Sequence, residues 1–329
     1  MEPARLLSPE EIAVRAGKEP AFLRLPDPTT LFAEREMRLR QLAAGHAMRE
    51  YLLFAAELCR AQHAQASSGA APPVPPAAVF EEAAQRLRPP LPAQDWTADG
   101  SWHGSLAGLL ERLAPRLDGA PREAVRRLAA AEPAEWDRQA ARLLNGIGMG
   151  LDLAVAPLVA AGLQVHGSRL VAASAAAHAG LKGDAFGRTE DPRSCPCCGS
   201  VPTAGVLRIG PEVGGQRYLH CSMCAAQWHL VRITCAHCGN PEGIDYRQLQ
   251  RADAPQGDAT PAAVVRAECC PKCRHYLKLV AMDKDPNAEP VADDLASLSL
   301  DLLVSDSGLE RHGVNFLLLF GDAPEDADA

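Results

Sequence analysis

The sequence has few features that would suit a membrane, export or nucleic acid. Its most apolar stretch, residues 150–180, is interrupted by charged side chains such as Asp152 and Arg169, which argues against a membrane span. There are 33 Lys and Arg against 41 Asp and Glu, a formal net charge of −8, whereas a phosphate backbone favours a basic surface. Residues 1–17 contain acidic side chains and no apolar run as long as an export signal. The sequence therefore predicts a cytoplasmic protein with no membrane insertion and no nucleic-acid partner.

Motifs of common enzyme sites are also missing. The sequence has no G-x-x-x-x-G-K-[ST] loop, no G-x-G-x-x-G fingerprint, no H-E-x-x-H and no G-x-S-x-G. The carboxylate pair Asp293 and Asp294 stands at the start of a predicted helix, where helix capping and the helix dipole account for it. The sequence therefore predicts a protein that is not an enzyme.

Helical periodicity dominates the first 190 residues. Residues 29–67 have apolar side chains at helical spacing and no internal proline, which predicts one long amphipathic helix. A proline-rich connector follows at 67–78. The region 150–180, rich in Ala, Leu and Val, predicts a buried central helix. After residue 190, short β-type runs punctuated by glycine and proline replace this pattern.

The length of 329 residues exceeds what one compact domain usually holds. We expect a multidomain protein of α plus small β class, in which an all-helical N-terminal domain precedes two tandem modules of the rubredoxin-like or zinc-ribbon type. The predicted boundaries are 1–190 for the helical domain, 191–233 and 234–283 for the modules, and 284–329 for a C-terminal helix with an acidic tail.

The cysteines carry the clearest chemical signal. Ten of the eleven lie between Cys195 and Cys273, and cytoplasmic thiols stay reduced, so metal ligation is favoured over disulfides. Eight of the ten form C-x-x-C pairs, whose gap lets one turn aim both sulfurs at an ion while backbone N–H groups donate to the thiolates. The pairs are Cys195 and Cys198, Cys221 and Cys224, Cys235 and Cys238, Cys270 and Cys273.

Joining neighbouring pairs gives two four-cysteine sites in tandem. A cross-brace, in which the first pair shares an ion with the third and the second with the fourth, is the alternative. Four sulfurs suit zinc and a rubredoxin-like iron alike, so we expect two metal ions per chain, iron or zinc. Because the sulfurs fill all four positions, a hydrolytic role is disfavoured.

Other side chains near these pairs have plainer explanations. Cys197 and Cys269 each adjoin a ligand, and we interpret them as small buried fillers or an alternative ligand register rather than reactive thiols. Cys59 is expected to be a small buried side chain of the helical domain. Surface or outer-sphere roles are favoured over ligation for four neighbouring histidines: His220, His229, His237 and His275.

Several segments together resemble the formate dehydrogenase accessory proteins, the FdhE family. The resemblance covers about the last 130 residues in residue type, order and spacing, while the helical half is similar only in length and class. The segments are CPCCGSVP at 195–202, RYLHCSMCAAQWHLVRITCAHCGN at 217–240, RAECCPKCRHYLKLV at 266–280, DDLASLSLDLL at 293–303 and RHGVNFLLLFG at 311–321.

The resemblance implies a cytoplasmic maturation factor that is not itself a dehydrogenase. Such a protein binds the catalytic (alpha) subunit of a respiratory formate dehydrogenase exported by the twin-arginine route, and it is required for that enzyme's activity. The resemblance also makes the eight paired cysteines the ligands of two ions. Homo-oligomerisation is left open.

Other functions remain as alternatives. Iron at the four-cysteine sites would allow a rubredoxin-like electron-transfer or redox role during formate dehydrogenase activation. A nucleic-acid-binding ribbon is disfavoured by charge. Residues 281–329 contain 12 acidic and 2 basic side chains, so we expect this segment, including Asp293, Asp294 and Asp301, to contact basic residues of a partner, such as the twin-arginine signal of the client.

Overall fold

A computed structural model describes residues 20–180, 185–208, 215–250 and 263–319. Residues 1–17, where we predict no export signal, and the end of the predicted acidic tail lie outside these ranges. The predicted fold class is confirmed: a helical region precedes a small sheet region that carries two four-cysteine clusters. The first seven helices are α1 (Leu31–Ala43), α2 (Arg49–Ser68), α3 (Ala77–Gln85), α4 (His103–Leu113), α5 (Gly119–Ala129), α6 (Pro133–Leu144) and α7 (Ala156–Ala177).

The prediction of one helix over 29–67 is wrong. The chain turns between α1 and α2, and the two helices pack against each other. Gly45 has φ +72°, a left-handed conformation that ends the helical path and suits glycine, while the Met48 N–H donates to Nδ1 of His46. The apolar spacing runs on through the turn because both helices face the same core.

Helix α7 is the predicted buried central helix. It packs on α2, α4 and α6, and its side chains are buried around most of its circumference. Small residues permit this close packing: a Cβ added at Gly167 would lie 2.1 Å from Cη2 of Trp96. Among the described residues, no helix is both long and apolar enough to cross a membrane.

Gly167→Ala is expected to lower the free energy of unfolding by about 1–3 kcal/mol, because either the Trp96 indole or α7 must shift. The control is Gly104→Ala in α4, where an added Cβ has no heavy atom within 4 Å. That variant should be unchanged or more stable by up to about 1 kcal/mol. Urea unfolding followed by tryptophan fluorescence measures both, and equal effects would contradict the packing argument.

His166, also on α7, should make stability depend on pH. Its ring packs edge-on against Trp96, with centroids 5.7 Å apart, and burial lowers the pKa of His166 from 6.5 to about 4. Between these values the unfolded chain binds a proton that the folded protein excludes. The contribution of neutral His166 to the free energy of unfolding is therefore complete above the unfolded-state pKa of 6.5. It falls by about 3 kcal/mol as the pH drops to the folded-state pKa of about 4.

The measurement is the free energy of unfolding of wild type and His166→Gln across this interval. Across this interval the free energy of unfolding of His166→Gln should fall by about 3 kcal/mol less than that of wild type. An identical slope in both proteins would show that His166 does not titrate on unfolding.

The described strands form one sheet. They are β1 (Leu23–Arg24), β2 (Pro202–Arg208), β3 (Gln216–Cys221), β4 (Gln227–His229), β5 (Asp245–Arg247), β6 (Val265–Cys269), β7 (His275–Ala281) and β8 (Glu310–Arg311). Their order in the eight-stranded sheet is β1-β4-β3-β2-β7-β6-β5, with β8 also paired to β7. Strands β2 and β7 pair in parallel, with Gly205 opposite Leu279, and this pairing joins the two cysteine-rich regions into one sheet.

The C-terminal helices are α8 (Pro290–Ala296) and α9 (Leu298–Asp306). Helix α8 packs against α1 and against strands β2 and β7, whereas α9 packs against β6 and β8. Glu289 caps α8 by accepting from the N–H groups of its first turn, and its other carboxylate oxygen lies 3.0 Å from Nε of Arg35. Arg38 pairs with Asp293 at 2.6 Å. These buried pairs fasten α1 to α8.

The acidic side chains considered for contact with a basic partner are paired inside the protein instead. Asp294 and Asp301 both lie against the fully buried Nζ of Lys278, at 3.1 and 2.5 Å. Arg311 contacts the same two carboxylates at 2.8 and 3.1 Å. With two cations facing two anions, the cluster is neutral, so its aspartates are held by internal ion pairs rather than presented to a basic partner.

Candidate metal centres

The four C-x-x-C pairs share one backbone design. In each, the N–H of the first cysteine donates to the carbonyl five positions later. The residue after the second cysteine has positive φ, which turns the chain back across the sulfurs. These residues are Gly199 at +74°, Ala225 at +61°, Gly239 at +74° and Arg274 at +58°. Glycine stands at two of the four because it adopts this conformation without strain.

In the first cluster, sulfurs of the first two pairs meet. The Sγ atoms of Cys195 and Cys224 are 3.6 Å apart, and those of Cys198 and Cys221 are 3.5 Å apart. All four cysteines are buried. The N–H groups of Met223 and Cys224 point at the Cys221 sulfur from 3.4 Å, an arrangement that stabilises a thiolate.

The second cluster repeats this geometry with a more open setting. Sγ of Cys235 lies 3.6 Å from Sγ of Cys273, and Sγ of Cys238 lies 3.8 Å from Sγ of Cys270. Backbone N–H groups of His237 and Cys238 donate to the Cys235 sulfur. Cys238 and Cys273 are partly exposed, so this cluster has an open side.

The sulfur spacing fits an ion at the centre of each cluster. Four thiolates at about 2.3 Å from a tetrahedral ion are about 3.8 Å from one another, while a disulfide would bring two sulfurs to about 2.05 Å. Within each cluster all four Sγ atoms lie within 4.8 Å of one another. The clusters combine sequential pairs, so the cross-brace is not the arrangement found. Each cluster could hold one metal ion, which gives two per chain.

Thiol ionisation favours ligation at one sulfur of each cluster. Burial raises the pKa of Cys270, but backbone N–H groups of Cys273 and Lys272 outweigh it and bring that pKa to about 7. At Cys195, burial is likewise outweighed by hydrogen bonds from neighbouring thiols, which hold the pKa well below its usual value. Because an ion binds the thiolate, each cluster has one sulfur that ionises readily.

The two clusters differ in their surroundings. Cysteines of the first belong to the main hydrophobic core shared with the helices. Backbone N–H groups of Leu91 and Ala93 donate to the carbonyls of Cys197 and Cys198. The second cluster lies beside a small separate core that includes Tyr276 and Leu300. The first cluster is thus built into the helical region, whereas the four cysteines of the second lie outside the main core and only Ala236 of its first loop belongs to that core.

A buried ion pair spans the sheet between the clusters. Arg217 on β3 lies 2.6 Å from Glu268 on β6, and it also donates to the carbonyl of Thr234 beside Cys235. The pair passes over Gly205, where an added Cβ would lie 3.0 Å from Leu279 and 3.6 Å from both charged groups. The glycine leaves room for this cross-sheet contact.

The three cysteines outside the C-x-x-C pairs are buried, and burial raises the pKa of each thiol. This pKa is well above its usual value at Cys197, about 11 at Cys269 and about 12 at Cys59. Protonated, enclosed thiols react poorly. The structure thus supports the interpretation of these three residues as small buried side chains.

The four histidines named from the sequence take different positions. His220 is buried beside Gln227, and burial, aided by Arg35 and Arg208, lowers its pKa to about 3. The ring of His229 packs edge-on against Tyr218. His237 and His275 stack on each other at 3.8 Å next to the second cluster. His312, which the sequence reasoning missed, joins them because β8 pairs with β7 just before it.

Comparisons with known proteins agree over nearly the whole chain. Family models described as "FdhE, N-terminal", "FdhE, central domain" and "FdhE, C-terminal domain" match residues 20–180, 194–232 and 233–318. A protein FdhE homolog from Pseudomonas aeruginosa is 37% identical, covering 96% of this chain and 98% of its own. The homolog from Stutzerimonas stutzeri is 35% identical with the same coverage.

A solved structure is similar as well. The crystal structure of the FdhE protein from Pseudomonas aeruginosa has a TM-score of 0.80 and 36% identity, and the match covers 92% of this chain and 100% of that one.

Proposed function

The chain belongs to the FdhE family, and on that premise we propose that it is a cytoplasmic accessory protein for a twin-arginine-exported respiratory formate dehydrogenase. It binds the catalytic subunit before export and is needed for that enzyme's activity, without catalysing a reaction itself. Two ions, iron or zinc, sit in its four-cysteine clusters. The family match over nearly the whole chain is the observation that carries this proposal.

The geometry of the clusters supports a binding role. Four cysteine sulfurs complete the tetrahedral coordination of an ion and leave no position for a substrate or an activated water. In the first cluster the sulfurs are also closed off by the main core. An ion there stabilises a surface for a partner rather than performing hydrolysis.

The proposal is tested by co-purification and complementation. A tagged chain is expressed with the formate dehydrogenase catalytic subunit, and formate dehydrogenase activity is measured in cells lacking the endogenous FdhE protein. We expect co-purification and restored activity with wild type and with Cys269→Ser, a buried cysteine outside both clusters, and loss of both with Cys235→Ser. If wild type neither retains the subunit nor restores activity, the proposed function is wrong.

A redox role is the second candidate, favoured by the partly exposed second cluster and the N–H groups that donate to its Cys235 sulfur. Such donors raise the potential of an iron–thiolate centre. Metal analysis and visible spectra of protein purified without chelators, with and without air, decide the matter. Two irons with ferric–thiolate bands support the role, and two zincs with a featureless spectrum contradict it.

A further inference from the structure

Three histidines gather on the open side of the second cluster. The rings of His237 and His275 stack with centroids 3.8 Å apart and planes inclined by 10°. The His312 ring meets His237 edge-on at 5.0 Å. They come from three separate parts of the chain: a cysteine loop, the start of β7 and the segment after β8. The fold therefore assembles a group of imidazoles that no local sequence motif contains.

Nitrogens of two of these rings lie close to a sulfur of the second cluster. One ring nitrogen of His237, one of His275 and Sγ of Cys273 all lie within 4.8 Å of one another. Nδ1 of His275 is 2.8 Å from the Cys273 carbonyl and donates to it, while Nε2 lies 3.4 Å from Oε2 of the largely exposed Glu310. Histidines that bind metals are commonly oriented by such a hydrogen bond from the other nitrogen.

Two further nitrogens lack a partner. Nδ1 of His237 and Nε2 of His312 are buried and make no hydrogen bond to the described residues. A buried polar atom without a partner costs free energy, and an ion or its bound water would satisfy it. For His237, whose ring belongs to the ligand group, this is a second observation beside the ligand distances.

We propose that His237, His275 and Cys273 form a third, transient metal site, through which an incoming ion passes into the second cluster. The inference rests on the proposal that this cluster holds an ion. Imidazole and thiolate together select borderline divalent ions such as Zn²⁺, Co²⁺ and Fe²⁺. The ion first binds the imidazoles and the Cys273 sulfur, and that sulfur loses its proton to water as the bond forms. It then exchanges the imidazoles for the other three sulfurs, Cys270 first, and each of these thiols likewise gives its proton to water.

The geometry makes this site weak, as a transfer site must be. Imidazole lone pairs lie in the ring plane, so two parallel rings cannot aim at one ion until they turn out of their stack. The four sulfurs of the cluster already have nearly tetrahedral spacing. An ion therefore gains free energy by moving from the imidazoles to the cluster.

Solvent exposure also favours the second cluster as the place where an ion enters. Cys273 and Cys238 are partly exposed, whereas all four cysteines of the first cluster are buried. The His275 side chain is 22% exposed, so an ion from solvent reaches it without opening the core.

The test uses the full-length metal-free protein and Co²⁺ as the probe, since its thiolate and imidazole complexes have distinct visible bands. The variant His237→Phe/His275→Phe keeps two stacked rings but removes their nitrogens. His229→Phe, a histidine that contacts Tyr218, is the matched control, and His275→Phe alone serves if the double variant folds poorly.

We expect wild type and the control to take up two ions tightly and a third weakly. The double variant should still bind two ions with unchanged thiolate bands, but lose the third. Its affinity for the third should fall more than about 10-fold, since losing even an outer partner of a ligand costs roughly 10- to 100-fold. Stopped-flow mixing should show slower filling of one cluster.

Three results separate the possibilities. An unchanged filling rate and an unchanged third site in the double variant overturn the transfer site. Binding of only one tight ion by that variant also overturns it, because the histidines would then be needed for the cluster itself. If wild type binds no ion at either cluster, the metal-binding part of the proposed function fails as well.

Discussion

Cys221→Ser is expected to unfold the protein beyond the first cluster. Structural metal contributes on the order of 10 kcal/mol per site, comparable with the entire stability of a typical domain, about 5–15 kcal/mol. The Cys221 sulfur accepts two backbone N–H groups and belongs to the core shared with the helices. Without the ion, that core would contain unpaired buried thiols.

The matched variant is Cys235→Ser in the second cluster, which should release one ion and leave the helices folded. Metal analysis gives the stoichiometry, and circular dichroism at 222 nm during heating gives the state of the helices. We expect a large loss of helical signal for Cys221→Ser only. Equal behaviour of the two variants, or loss of both ions from Cys235→Ser, would contradict the separate surroundings of the clusters.

Lys278→Met should destabilise the protein by about 3–5 kcal/mol, the usual cost of removing one partner of a buried ion pair. The ammonium group is fully buried between Asp294 and Asp301. Arg311 would remain as the nearest cation for two buried carboxylates. Because these groups connect β7 with α8 and α9, their loss should loosen the packing of both helices on the sheet.

Lys284→Met is the control, since its side chain is 49% exposed and lies 3.7 Å from Asp283. An exposed pair of this kind contributes about 0–1 kcal/mol. The free energy of unfolding in urea should therefore separate the two variants clearly. Adding Asp301→Asn to Lys278→Met should recover part of the loss, and full additivity would argue against direct coupling.

The cysteine clusters were predictable from sequence because each C-x-x-C pair is a short motif of four consecutive residues. A C-x-x-C turn places two sulfurs together whatever the rest of the fold does, and only the joining of pairs needed the structure. Helix α7 was predictable for a similar reason: its composition indicates burial on every side. The end of α1 was not, since Gly45 is one residue within a continuous helical pattern.

Long-range pairing explains the other failures. The charges of Asp294 and Asp301 look like those of a surface, because their partners Lys278 and Arg311 come from two different strands. The parallel pairing of β2 with β7, which makes one sheet of two cysteine-rich regions, leaves no signal in either strand. His312 was missed since nothing in its neighbourhood of the sequence points to the second cluster.

The ion pairs between α1 and α8 bear on the order in which the protein is made. Arg35 and Arg38 lie 254 and 255 positions before Glu289 and Asp293, so a ribosome adding 5–20 residues per second needs roughly 10–50 s to supply the partners. Strand β1 likewise waits for β4. During synthesis the N-terminal helices therefore present unmatched arginines until residues 289–293 have left the ribosome.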